Sequence, residues 1–417
     1  MIIYVGIDVG KRNHEAGIIN GEGKQIGKTL RISNTMTGFQ RLNDFIQDRI
    51  KKITGEQDSS SDELLVHIGM EATGHYWKTL YTYLEKVGYK ISVINPIQTE
   101  KVRKVQSIRK AKTDKIDAIV IANTLRINQP EQSVFADPDR IAIQKLSRTR
   151  RSIVESCTRC KLQGQTIMDQ IFPEYESIFD NIYSSSSIAI LKKCCTPKQM
   201  KEASINELTS IISKTSRGWY GADKAGQIIE AAQSSIGTEI AAEADILELN
   251  LLIAQIEMLE KQIKVLDAEI DKYMAKIKTT IFSIPGIGKV WGTTIISEVG
   301  DINRFSNSAK FVAFTGLDPS IHQSGDSSGL GGHISKRGSP HLRWAIYEAA
   351  ECTRRFDPVF KAYYDKKRSE GKSHRSAVCA CALKLTRVIY SILKTNKEYV
   401  VDPAQLEGAP IRSNCCG

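Results

Sequence analysis

An α/β domain followed by a long, mostly helical region is the fold class that this 417-residue sequence predicts. Three observations predict it. Up to about residue 127, short β-branched runs alternate with helical spacings. Two later stretches, 138–172 and 249–273, repeat apolar residues at helical intervals. The remainder holds helical fragments and one loop rich in glycine and serine at 315–340.

Residues 2–9 and 14–19 alternate apolar and polar side chains around a Gly10–Asn13 turn, the pattern of a β-hairpin. A third strand is predicted at 26–33, and helical spacing runs over 37–53. GEQDSSSDE, at 55–63, reads as a polar surface loop. Strand 64–70, helix 75–87, strand 89–95 and helix 96–106 follow, with Pro96 suited to a first helical turn, and then helix 114–127. Three strands, a helix, then alternating strands and helices give a mixed sheet flanked by helices. That order matches the ribonuclease H-like fold, whose catalytic acids come from the first strand, the fourth strand and the last helix.

Four acids occupy those places. Asp8 ends the apolar run in IIYVGIDVGK, and Glu71 ends the one in LLVHIGMEATGHYW. Asp114 and Asp117, in KTDKIDAIVIA, stand three apart at a helix start and so share a face. Taken singly, an Asp between glycines is a turn former, and acids at a helix start favour its positive end. Their order suggests more, because such a set can hold two divalent cations for phosphodiester chemistry. Basic residues crowd the approach: Lys101, Arg103, Lys104, Arg109, Lys110, Lys112 and Lys115. A solvated helix face would look similar; contacts to nucleic-acid phosphates fit the neighbouring acids better.

With 58 Lys and Arg against 47 Asp and Glu, the net charge of +11 suggests a polyanionic partner. No run of 18 apolar residues predicts a membrane span, and the N-terminus enters a strand without a secretory leader pattern. Cytoplasmic location is therefore expected. Of nine cysteines, Cys157 and Cys160 form a C-x-x-C without a second pair at zinc-finger spacing, so structural or free thiols are expected.

The domains expected are a catalytic one at 1–135, a helical and coiled-coil region at 136–275, a C-terminal domain at 276–400 and a tail at 401–417. Residues 138–172 read as a helix studded with Arg and Lys, whereas the weakly periodic 176–240 gives no architecture. Leu249, Leu252, Ile256, Leu259, Ile263, Leu266, Ile270 and Tyr273 trace a heptad seam. Its partner can be helix 138–172 or a second protomer. Pro285-Gly286-Ile287-Gly288 resembles the turn of a helix-hairpin-helix, where Gly286 and Gly288 admit a phosphate to backbone N–H groups; an ordinary turn reads the same way. In the 315–340 loop, Ser324, Ser327 and Ser328 are candidate nucleophiles, and Lys336, Arg337 and Arg343 candidate phosphate clamps. Spacing does not choose among the serines.

The chain resembles the DEDD transposases of insertion sequences, relatives of the pilin-gene DNA invertases. GIDVGK, MEATGHYW with VINP, KTDKIDA, SIPGIGKV with EVGDINRF, and AFTGLDPS…SG…ISKRGSPHLR carry the resemblance, in the family's order over nearly the whole chain. It implies a RuvC-like domain in which Asp8, Glu71, Asp114 and Asp117 bind metal, and a transposase domain in which Ser324 is the nucleophile. It further implies two Mg²⁺ ions, with Mn²⁺ able to substitute, and a covalent phosphoserine link to DNA. Donor and target DNA would be chosen by a structured noncoding guide RNA. The protein would act as a dimer or tetramer held through the coiled coil, the tetrad of one protomer facing the serine of another. The competing reading is a Holliday-junction type endonuclease that uses water in place of Ser324. A plain nucleic-acid binding protein is a third.

Overall fold

The computed structural model describes residues 2–54, 65–72, 74–106, 113–130, 132, 137–319, 323–324, 327–328 and 333–401. The chain divides into two compact units, Met1–Phe135 and Ala136–Gly417.

The first unit is built on five strands: β1 (Ile2–Val9), β2 (Asn13–Asn20), β3 (Leu30–Ser33), β4 (Leu65–Glu71) and β5 (Lys90–Ile94). They lie in the order β3-β2-β1-β4-β5. β1 pairs antiparallel with β2 and parallel with β4, which pairs parallel with β5. Alternation along each strand assigns the two faces. Ile3, Val5 and Ile7 join Ile18 and Met70 in a core covered by α1 (Met36–Thr54) and α2 (Trp77–Val87), which ends at Gly88 with φ 97°. The opposite face presents Tyr4 and Ile19, which pack with Ile121, Ala122 and Leu125 of α4 (Asp114–Asn128). Between α2 and α4 runs α3 (Pro96–Gln106).

α4 lies directly on the sheet because of a row of glycines. Gly17, Gly6 and Gly69 sit abreast on β2, β1 and β4. A Cβ on Gly6 would stand 2.0 Å from the Ala118 carbonyl oxygen and 2.3 Å from the Ala122 nitrogen. Equivalent atoms on Gly17 and Gly69 would press on Ile119 and Leu125, so the helix crosses β2, β1 and β4 in turn. Arg126, near its end, lies against Gly23 in the turn after β2, at the edge where β1 begins. The first turn of α4 therefore points to the edge where β1 and β4 end.

In the second unit, α5 (Pro138–Ile171) and α11 (Ala242–Met274) run antiparallel, with ion pairs Lys276–Asp139, Arg150–Asp267 and Lys161–Glu260 along their length. The seam thus has an intrachain partner: Leu249, Leu252, Ile256 and Ile270 are buried. Leu251, Met258 and Val265, seven residues apart, stay exposed. Residues 176–240, unreadable in sequence, belong to a bundle of short helices: α6 (Tyr175–Ile178), α7 (Ser185–Leu191), α8 (Pro197–Glu202), α9 (Ile205–Thr215) and α10 (Ala222–Gln233). These enclose a core with the adjoining ends of α5 and α11.

A separate core gathers α12 (Lys289–Val299), α13 (Ser308–Thr315), α14 (Pro340–Phe356), α15 (Pro358–Ser369) and α16 (His374–Thr395). α16 is long and apolar enough to cross a membrane by length and composition, yet Val378, Cys381, Leu385 and Ile389 lie at the centre of this core. Sequence spacing suggested helices on both sides of Pro285–Gly288. Here only a 3₁₀ turn, Ile281–Ser283, precedes it, because Ile281, Ile284 and Ile287 all insert into the core.

Candidate active site

Asp8 and Glu71 stand level at the ends of adjacent parallel strands, one position beyond the Ile7–Met70 pair. Both follow the glycines on the α4 face by two residues, so both project to that side. Glu15, directly across from Asp8 on β2, adds a third carboxylate to the same face. It is buried and accepts a hydrogen bond from the Thr29 hydroxyl. Strand-end reasoning overlooked Glu15, although alternation in NHEAGII places it with Gly17.

Asp114 and Asp117 open α4, whose N-cap Thr113 accepts a hydrogen bond from the Ile116 backbone N–H. Asp114 is exposed, while Asp117 is buried, adjacent to the Ala118 carbonyl that rests on Gly6. α3 reaches two of the four acids. Thr99 donates to Glu71 Oε1 at 2.8 Å, and Arg103 Nη2 lies 2.8 Å from Asp117 Oδ1. That ion pair is close but off hydrogen-bond alignment, since Asp117 Oδ1 and Arg103 Nε both lack a hydrogen-bond partner among the described residues. Lys101 is exposed on the same helix, and Lys104 pairs with Glu100 at 2.7 Å. Arg109, Lys110 and Lys112 lie outside the described residues.

The set suits a hard divalent cation: every donor is a carboxylate oxygen, and buried Asp117 already draws a positive charge to itself. Among the described residues, no three acidic, His or Cys groups are close enough to hold a metal as they stand. The four acids therefore share one end of the sheet without forming a closed coordination shell.

Ser324 belongs to the second unit. Gln323–Ser324 pairs antiparallel with Ser327–Ser328, and the side chains of this segment lie outside the described residues. The foot of its loop is closed by a Pro319–Ile334 bridge and by backbone hydrogen bonds from Ser335 to Asp318 and from Lys336 to Gly316. Two glycines allow this closure. A Cβ on Gly338 would collide with the Phe314 carbonyl, and Gly316 ends α13 with φ 68°. Ser339 then caps α14 and donates at 2.9 Å to Glu298, whose buried carboxylate also takes two hydrogen bonds from Arg148, at 2.6 and 2.8 Å. Burial, and then the charge of Arg148, lower the pKa of nearby His341. Lys336 and Arg337 are exposed, and Lys336 holds φ 54°, unusual for a residue with a side chain. Arg343 bonds the Thr315 carbonyl at 3.4 Å, helping to close the loop.

Gly286, with φ 87°, packs against the α14 backbone at Thr353, leaving no room for a Cβ. Gly288 is exposed at the start of α12, with nothing within 4 Å of a Cβ position. Cys157 is buried on α5, and Cys160 lies beside Gln255 of α11.

The candidate features are thus a sheet-edge set of acids in the first unit and a serine-bearing loop in the second. A family model described as transposase, of the DEDD type, matches residues 5–173, and one described as transposase of the IS116/IS110/IS902 family matches residues 278–365. The chain belongs to this transposase family and is a DNA transposase/recombinase. It is 25% identical over 408 residues to the 44.8 kDa protein of insertion element IS116 from Streptomyces clavuligerus, covering 96% of this chain and 97% of the relative. The 42 kDa protein of insertion element IS900 from Mycobacterium paratuberculosis is 25% identical over 410 residues, 95% of this chain and 97% of that protein. A pilin gene-inverting protein of Moraxella lacunata is 24% identical over 398 residues, 95% of this chain and 97% of its own length. The DEDD-type domain implies dependence on a divalent metal ion in general.

Proposed function

We propose that the chain is a Mg²⁺-dependent recombinase of an insertion sequence, with Ser324 as nucleophile and a structured noncoding RNA choosing donor and target DNA. One observation carries the reading: Asp8 and Glu71 end adjacent parallel strands at the edge where α4 presents Asp114 and Asp117. Two Mg²⁺ ions bound there, or Mn²⁺ in their place, would polarise a scissile phosphate and lower the cost of an alkoxide. Asp8, Glu71, Asp114 and Asp117 would hold them.

The Ser324 oxygen then bonds to phosphorus, the bond to one deoxyribose oxygen breaks, and the freed hydroxyl takes the proton. Because a phosphoserine ester replaces the phosphodiester, a hydroxyl of another strand can reverse the step and rejoin DNA without an external energy source. The closed loop foot, tied through Ser339 and Glu298 to Arg148, supports this role by limiting where the serine can travel. Lys336 and Arg337 are exposed at that foot and suit phosphate contacts; Lys101, Lys104 and Gly288 are exposed and suit nucleic-acid backbone. The exposed stripe of Leu251, Met258 and Val265 suits a second copy, so a dimer or tetramer joined by a coiled coil is the proposed assembly, at work in the cytoplasm beside the chromosome.

The test is nicking of a plasmid carrying the element's ends, together with sequencing of RNA that copurifies with the protein. Metal-dependent nicking lost in Asp8→Asn, plus one discrete RNA from the element's flank, is the expected outcome. Only mixed cellular RNA would remove the guide from this reading, and metal-independent nicking would remove the acid site.

A further inference from the structure

Thr99 and Arg103 stand one turn apart on α3, on one helix face, and each engages an acid of the proposed site. The atoms they engage, Glu71 Oε1 and Asp117 Oδ1, are carboxylate oxygens that a bound cation would need. The Arg103–Asp117 pair is unevenly matched. Asp117 keeps 7% of its side chain exposed and Arg103 27%, so the carboxylate depends on a cation far more than the guanidinium depends on an acid. A committed arginine uses two parallel hydrogen bonds, as Arg148 does with Glu298. Arg103 makes one close contact, and its Nε is buried without a hydrogen-bond partner among the described residues. It supplies charge with little directional bonding, which is what a removable counter-ion does.

We propose that Arg103 is a stand-in cation for the metal-free site, and that metal binding displaces it together with the Thr99 contact. This rests on the reading that the four acids bind a divalent metal. Arg103 is then a positioning residue: it sets a positive charge against the buried Asp117 side chain until a metal takes over. Docking of α3 and loading of the metal compete for the same two oxygens. Once displaced, the guanidinium is free to neutralise a DNA phosphate, so its charge compensates first the enzyme and then the substrate.

Titration calorimetry with Mn²⁺ alone, on the full chain, tests this. Arg103→Gln should bind Mn²⁺ about tenfold more tightly than wild type, equal to about 1.4 kcal/mol, because the competing cation is gone. Arg103→Lys, which keeps the charge, should stay near wild type. Equal or weaker binding by Arg103→Gln overturns the proposal. Because that variant leaves a buried acid unpaired and can fail to fold, a second measurement uses wild type only. Backbone hydrogen exchange over 97–106 should quicken when Mg²⁺ is added; unchanged or slower exchange overturns the proposal. Failure of the metal site itself looks different: wild type would bind no Mn²⁺, or Asp8→Asn would bind it undiminished.

Discussion

In the first unit, the acids ride on a sheet and a helix whose backbones touch, with Gly6 closed against Ala118 and Ala122. In the second, the described foot of the loop that bears Ser324 is held by paired glycines and by Arg148 and Ser339 bound to the buried Glu298 carboxylate. The contrast fits the two proposed tasks. Metal-binding oxygens need positions fixed to a fraction of an ångström, which secondary structure provides, whereas an attacking group has to move between bond partners. It also implies that damage to the sheet unit should appear as lost folding and lost chemistry together, while damage to the loop foot should separate them.

The largest effect expected is at the glycine row. Gly6→Val places side-chain atoms inside the α4 backbone and should cost about 3 kcal/mol or more, so thermal melting should show a large drop and nicking should vanish. A variant of normal stability would break the claim that close helix–sheet contact positions the acids. Next, Glu298→Ala removes a buried acceptor bound by half-exposed Arg148 and by Ser339 and should cost about 2 kcal/mol, against about 1 kcal/mol for Ser339→Ala, which removes one cap. Denaturant titration measures both. Equal costs would mean that the ion pair adds nothing beyond the cap.

Lys336→Gly sharpens the comparison by separating backbone from side chain. Relief of φ 54° should raise stability by about 0.5–1 kcal/mol, while the lost charge weakens DNA binding and lowers its salt slope by about one. An unchanged salt slope would assign Lys336 to loop geometry alone. The smallest effect at neutral pH is in the sheet. His67, buried and 2.8 Å from the Ser92 hydroxyl, has a pKa pushed down to about 4 by burial and then by Lys90. An unfolded histidine takes a proton near pH 6.5 and the folded one resists, so stability present above 6.5 is lost as pH falls toward 4. His67→Gln should flatten stability across that window; an unchanged profile would place the acid sensitivity elsewhere.

Much of the first unit was legible because period-two alternation and glycine turns mark strands directly. Strands predicted at 2–9 and 64–70 form at Ile2–Val9 and Leu65–Glu71. The glycine row was not legible, since Gly6, Gly17 and Gly69 become neighbours only through strand register. Thr99 reads as an ordinary helix residue and Arg103 as one of several phosphate-contact candidates until α3 brings them to Glu71 and Asp117. The bundle over 176–240 was hidden in part because three of its helices, α6 with 4 residues, α7 with 7 and α8 with 6, are too short to display a period. Several basic residues of α5 pair with internal acids such as Glu298, Asp267 and Glu260, partners that lie more than ninety residues away in sequence.

In the proposed mechanism, acids on the sheet and a serine on the loop jointly make a covalent protein–DNA bond. The most direct measurement is mass-spectrometric mapping of a DNA adduct, trapped by denaturing the protein with a labelled element end in Mg²⁺. The account predicts a nucleotide on Ser324 in wild type, and no adduct in either Asp8→Asn or Ser324→Ala. DNA cleaved by Ser324→Ala at the wild-type rate with no adduct would contradict it and assign the attack to water.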